Sequence, residues 1–236
     1  MKEKREIVSS QDWLKARLNL LAKEKELTRL RDELSRRRRE MPWERVEKQY
    51  VFDTPAGKET MAQLFDGRSQ LIVYHFMFDP GWEAGCRACS WWADNFDRNV
   101  IHLKHRDVTL VAISRAPIDK LEALKRRMGW TFKWVSSGDS DFNYDYHVSF
   151  RPEVVASGEL YYNYRPQKRS ATELPGISVF YKDSSGAIFH TYSCYERGLD
   201  MMNAGYHFLD LAPKGRDEDR LAHRMDWLRH RDRYDV

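Results

Sequence analysis

Apolar residues return at helical spacing through the first forty positions. Trp13, Leu20, Leu27 and Leu34 recur every seven residues, with Leu14, Leu18, Leu21 and Leu30 beside them. The pattern predicts one long helix over residues 9–40, opened by Ser9 with Asp12 three places on, a capping arrangement. A stripe of this kind needs a surface to cover it. Either the main domain or a second copy of the chain supplies one, so a homodimer through residues 9–40 is expected as one outcome. The arginine run 36–39 reads as a solvated helix end, and Met41 and Pro42 close the segment.

The pattern then changes period. Residues 50–52 and 59–61 flank a turn and predict a short hairpin. Residues 71–78, LIVYHFMF, form an unbroken apolar run, as expected of a strand buried on both faces. Residues 89–105 read as helix, 108–113 as a second buried strand, and 117–128 as a helix with Ile118, Leu121, Leu124 and Met128 on one face. Residues 132–135 suit a third strand. Residues 137–170 are polar, Tyr-rich and without period, and read as an insertion. Residues 177–181 and 188–192 form a hairpin around a turn, and 198–211 return to helical spacing. The tail from Pro213 is charged but carries Met225, Trp227 and Leu228, which suits docking on the body. Strand–helix alternation demands parallel strands joined by right-handed crossovers, with the final hairpin added antiparallel. The expected fold class is therefore α/β, a mixed sheet with helices on both faces. It divides into an extension (1–42), a main domain (43–212) and a docking tail (213–236).

Composition adds limits. The 236 residues are 42% hydrophobic and 13% aromatic, enough to fill a core. Forty basic and 36 acidic residues leave a net charge of only +4, interspersed, so no nucleic-acid partner is expected. The opening residues carry charge with no apolar run behind it, unlike a secretory leader. No apolar stretch reaches the ~18 residues of a membrane span, so no membrane partner is expected either. Three cysteines are too few for a disulfide scaffold, and a cytoplasmic, reducing location is the expectation.

Two of those cysteines carry the candidate chemistry. The strand 71–78 runs into the loop 79–85, after which Cys86-Arg87-Ala88-Cys89 opens a helix. Reactive groups in α/β sheets gather at the carboxyl ends of strands. A helix N-terminus offers unpaired N–H groups and partial positive charge, and Arg87 adds a cation; all favour thiolate over thiol. Cys86 is then the attacking thiol, and Cys89, within one turn, the resolving one. Trp82 and Arg87 are expected beside the site. Structural zinc needs four ligands, and one further Cys with no matching His pair does not supply them, so neither a metal nor a cofactor is expected. A structural role for both cysteines is the remaining alternative. Residues 139–150 suggest a calcium loop but put Tyr144 where Gly is required and Phe150 where Glu is required, which excludes it. His75, inside the apolar run, reads as a satisfied core histidine. Strand directions bring Cys194 to the same sheet edge as the C-x-x-C, as a packing residue or an auxiliary thiol.

Several stretches resemble a bacterial domain-of-unknown-function family of thioredoxin-like proteins, described as predicted dithiol-disulfide oxidoreductases. They include MPWERVEKQYVFDTPAGKETMAQLFDGRSQLIVYHFMFDPGWEAGC, VTLVAISRAPIDKLEALKRRMGWTFKWVSS, SDFNYDYHVSF and GISVFYKD, with EKELTRLRDEL and DWLRHRDRY nearer the ends. The resemblance implies a thioredoxin-like fold, Cys86 and Cys89 as a redox pair, and exchange with a disulfide or dithiol substrate, protein or small molecule. It also implies that Pro175, just before a strand, is cis and faces the C-x-x-C as part of the substrate site. The layout is similar to peroxiredoxins too. Their pattern places Pro seven and Thr three residues before the nucleophile, where this chain has Asp79 and Glu83, so peroxidase is the second enzymatic expectation. A non-catalytic interaction module is the third.

Overall fold

The computed structural model describes residues 6–235. The first five residues, part of the leader reading and of the 1–42 extension, and residue 236 of the tail lie outside the described residues. Contacts divide the chain into two compact units, before and after the Pro42–Trp43 junction. The first unit holds helix α1 (Ser10–Glu40), whose N-cap Ser9 accepts the Asp12 N–H at 3.2 Å. No residue of α1 is buried; Trp13, Leu20, Leu27 and Leu34 are all about half exposed.

The second unit follows the alternation anticipated from the pattern. Its elements run β1 (Glu44–Arg45), β2 (Val51–Thr54), β3 (Gly57–Thr60), α2 (Met61–Leu64), β4 (Gln70–His75), α3 (Arg87–Phe96), α4 (Val100–Lys104), β5 (Val108–Ser114), α5 (Ile118–Met128) and β6 (Lys133–Ser136). They continue through α6 (Phe142–Asp145), α7 (Pro152–Ser157), β7 (Glu159–Tyr162), β8 (Arg165–Lys168), β9 (Gly176–Lys182), β10 (Ile188–Tyr195) and α8 (Ala204–Leu211). Eight strands form one sheet in the order β1-β10-β9-β4-β5-β6-β2-β3. β4, β5 and β6 are parallel because helices fill the crossovers between them, and β9 runs antiparallel to β4.

Alternation along β4 separates two layers. Tyr74 and Phe76 face a core shared with α3, α5 and α8, through Trp92, Phe96, Leu121, Leu124 and Tyr206. Leu71 and Val73 face the other core, with Met61 and Leu64 of α2 and Phe142 of α6. A mixed sheet with a C-x-x-C helix after its central strand and helices on both faces is a thioredoxin-like fold.

Three expectations change. The insertion is not irregular: it holds α6, α7 and the hairpin β7–β8, with its own core of Val148, Phe150, Leu160, Tyr162 and Tyr195. The hairpin turn places Asn163 at φ 52° and Tyr164 at φ 63°, both left-handed. Tyrosine gives no sequence signal for that geometry. Here the Tyr164 hydroxyl donates to the Ser193 carbonyl at 2.9 Å and its ring meets Tyr195, which holds it there. The helix expected over 198–211 is broken at Asn203, separating a 3₁₀ turn, Glu196–Met202, from α8, which Asn203 caps at Tyr206 N. Finally, the Leu174–Pro175 bond is trans, for no cis peptide occurs among the described residues. The trans loop is held by Leu174 N–H to Val148 O at 2.8 Å and by the Tyr162 hydroxyl to Pro175 O at 2.6 Å.

Candidate active site

β4 ends at His75, and the chain stays extended through Phe78, held by Phe76 N–H to Ile113 O and Ala116 N–H to Phe78 O. The loop 79–85 then turns back. Asp79 Oδ1 accepts the Gly81 N–H at 2.8 Å, and Lys120 donates to the carbonyls of Pro80 and Trp82. Gly85 passes so close to the core that a Cβ there would lie 2.7 Å from Leu124 and 2.9 Å from Phe76. This close approach lets Cys86 N–H reach the Met77 carbonyl at 3.1 Å and sets Cys86 as the N-cap of α3.

The two thiols differ in surroundings. Cys86 is half-buried and Cys89 is buried. Cys86 Sγ accepts the Cys89 N–H at 3.4 Å, as an N-cap side chain does. The Cys89 thiol also donates to it, and that bond does most to hold the Cys86 thiol below its usual range. The backbone N–H groups of Cys89 and Ala88 and the Arg87 charge act in the same sense, against burial. Burial, first, and the neighbouring Cys86 push Cys89 well up. Cys89 Sγ accepts the Met77 N–H at 3.5 Å and a hydrogen bond from the buried Tyr74 hydroxyl. Glu83, three residues before Cys86, is exposed to solvent.

A cleft of about 650 Å³ opens onto this site. Cys89, Tyr74, Met77 and Trp92 line it with Leu174 and Pro175, so Cys89 and the proline loop share a cleft, and Cys86 lies just outside its lining. Trp82 does not line the cleft: it packs on the core and gives its carbonyl to Lys120. Arg87 is exposed and donates from Nη1 to the Leu228 carbonyl at 2.9 Å, so it ties the tail as well as acting on Cys86. Cys194 sits opposite Ile177, which sits opposite Tyr74. It therefore lies at the same edge and in the same core layer as Cys89, two strands away, with Sγ 3.6 Å from the Gly198 carbonyl.

Four groups were not singled out from sequence as parts of this region. Tyr74 was legible only as an apolar strand residue, although alternation places it on the face that carries α3. Arg115, just past β5, bonds Glu173 at 3.0 Å and approaches Asp79 at 3.7 Å, so it bridges the redox loop to the proline loop. Glu173 is buried, takes the Ser149 hydroxyl at 2.6 Å, and burial raises its pKa to about 7. Among the tail residues, His230 Nε2 lies 3.0 Å from the Gly85 carbonyl.

On the opposite face, His75 Nε2 lies 2.8 Å from Ser178 Oγ, which is 2.8 Å from Ser193 Oγ, which is 2.7 Å from His190 Nε2. A bulge between His190 and Tyr192 puts residues 190 and 193 on one face and makes this chain possible. His75 is only half satisfied: its Nδ1 finds no partner among the described residues, and burial lowers its pKa to about 3. No group of three or more His, Cys, Asp or Glu residues suited to a metal occurs among the described residues, and no helix there is long and apolar enough to cross a membrane.

Solved structures with a similar arrangement include peroxidoxin BcpB of Mycobacterium tuberculosis, with 10% identity, 70% of this chain and 94% of that chain covered, and a TM-score of 0.46. Peroxiredoxin Q of Xanthomonas campestris gives 10% identity, 71% and 97% coverage and 0.46. Thioredoxin peroxidase I of Plasmodium yoelii gives 13%, 72% and 92%, and 0.42. No curated protein matches the chain. The model of a family described as bacterial protein of unknown function (DUF899) matches residues 2–234, and the chain belongs to that family.

Proposed function

We propose that the protein is a thiol–disulfide oxidoreductase in which Cys86 attacks a substrate disulfide and Cys89 resolves the mixed disulfide. The observation that carries this reading is the asymmetry of the pair. One sulfur is an N-cap acceptor, half-buried and acidified; the other is buried, kept protonated, and hydrogen-bonded to the first. Attack by Cys86 thiolate forms Cys86–S–S–R and releases RS⁻. Cys89 then loses its proton and attacks the Cys86 sulfur, expelling the second RS⁻. The Tyr74 hydroxyl, already donating to Cys89, stabilises the thiolate that forms in that step. A reducing, cytoplasmic compartment would keep the pair as the dithiol.

The test is a trapping experiment. Reduced Cys89→Ser protein mixed with hydroxyethyl disulfide should hold one mercaptoethanol adduct on Cys86, mapped by mass spectrometry, and the Cys86→Ser protein should hold none. Absence of an adduct on Cys86 overturns the reading. Hydrogen peroxide offered to the reduced wild-type protein separates the peroxidase alternative: rapid catalytic consumption together with failure of the trap would favour it.

A further inference from the structure

The tail and the cleft together bear on the size of the substrate. Residues 214–231 are tied down at several points. Buried Glu218 accepts the Tyr206 hydroxyl at 3.0 Å, the Met225 N–H at 3.1 Å and the Trp227 indole N–H at 2.8 Å. Trp227 meets the ring of Trp91 on α3, and Arg216 stacks 3.8 Å over Tyr206 while pairing with Asp200 and Asp210. Leu228 is 2% exposed. From this anchored segment, two contacts reach the redox motif itself: Leu228 O takes the Arg87 guanidinium, and His230 meets Gly85 O. The backbone before Cys86 and the residue between the cysteines are therefore already engaged.

A folded protein partner needs roughly 800 Å² of open surface around the reacting sulfur for a specific complex. The tail occupies ground on either side of Cys86, at Gly85 and at Arg87. What stays open is the cleft, whose 650 Å³ falls in the ~300–1,000 Å³ range of small-molecule sites. Cys89 and Tyr74 sit there among apolar Met77, Trp92, Leu174 and Leu199, and charged groups of both signs, Arg169, Glu196, Asp200 and Arg216 among them, share the lining. Its tail-side rim carries both signs, exposed Lys214 and Arg224 with Asp217 and Asp219. Such a rim suits a zwitterion, with carboxylates and an ammonium group on one flexible molecule.

We infer that the substrate is a low-molecular-weight zwitterionic disulfide, the oxidised form of an amino-acid or short-peptide thiol, held in the cleft at Cys89, Tyr74 and Pro175, from which its disulfide reaches the adjoining Cys86, while residues 214–231 screen the dithiol from folded proteins. This rests on the thiol–disulfide reading above. The reaction balances as one RSSR plus the Cys86/Cys89 dithiol giving two RSH and the Cys86–Cys89 disulfide. Two electrons pass to the substrate, and its two thiols take up the two protons that the cysteines lose.

The experiment compares second-order rates for the fully reduced wild-type protein with glutathione disulfide, with cystine and with insulin, the last a protein disulfide. Glutathione disulfide or cystine should oxidise the dithiol at least 100-fold faster than insulin does. A Trp227→Ala/His230→Ala variant, which loosens the tail, should raise the insulin rate relative to the small disulfides at least tenfold. Insulin reacting as fast as the small disulfides in wild type overturns the inference even where the hydroxyethyl disulfide trap succeeds. An unchanged ratio in the variant overturns the screening role of the tail. Failure of the trap itself overturns the thiol–disulfide reading, and the inference with it, so the two failures are distinct.

Discussion

Cys86 and Cys89 share a helical turn yet titrate in opposite directions, because one sulfur receives hydrogen bonds at the helix start and the other lies in the core. Iodoacetamide labelling followed by peptide mapping should therefore modify Cys86 with a midpoint below the ~8.5 of a free thiol, while Cys89 stays unlabelled in the native protein. The largest acidifying contact on Cys86 is the Cys89 thiol, so Cys89→Ala should move that midpoint up. A midpoint for Cys86 at or above that of free cysteine would remove it as nucleophile. At this scale the sequence was readable where chemistry follows from local position: a C-x-x-C at a helix start needs no tertiary information. Tyr74, Arg115 and Glu173 were not readable, because their meaning depends on partners 15, 58 and 24 residues away or more. The Tyr74 hydroxyl matters only once α3 packs over β4.

Elements were legible in proportion to their length and periodicity. β4, β5 and α5 announce themselves by unbroken apolar runs or a one-sided face, whereas β1 has two residues and the β7–β8 hairpin turns on a tyrosine in left-handed conformation. The proline loop was misread for a similar reason: its hydrogen-bond partners, Tyr162 and Val148, both come from the insertion. Helix α1 was read correctly as a helix, and its leucine stripe remains exposed. Full burial of a leucine is worth about 2 kcal/mol, so the six exposed leucines of α1 are a strong incentive to pair. We propose that two copies of the chain pair through residues 9–40. Light scattering should give a dimer mass for the wild-type chain and a monomer mass for Leu20→Lys/Leu27→Lys, with the fold of residues 43–235 retained by circular dichroism. A wild-type monomer, or an unchanged dimer mass in the double variant, would exclude this pairing.

For the molecule as a whole, two buried groups at the redox edge pull stability in opposite directions with pH. His75 pairs with Gly176 across β4 and β9, and Glu173 stands three residues before that glycine. Burial lowers the His75 pKa from 6.5 to about 3. Between those values the unfolded chain binds the extra proton, so His75 makes stability fall as pH drops below 6.5. Burial raises the Glu173 pKa from 4.5 to about 7. Between those values the native protein holds the extra proton, so stability on this account is greatest below 4.5 and is lost as pH rises through 7. Over pH 4.5–6.5 the two slopes have equal size and opposite sign, about 2 kcal/mol each, and nearly cancel. His147 and His230 are also lowered by burial, and Asp94 is raised, so differences between variant and parent isolate the pair. Urea unfolding at pH 4.5 and 6.5 should show Glu173→Gln losing about 2 kcal/mol more than its parent on acidification, because the His75 slope is then unopposed. His75→Gln should show the reverse, losing about 2 kcal/mol relative to its parent as pH rises from 4.5 to 6.5. Parallel curves for parent and both variants would mean that neither group is buried in the protonation state assigned to it. The double variant should restore a pH dependence close to that of the parent, since removing both groups removes two slopes that already offset one another.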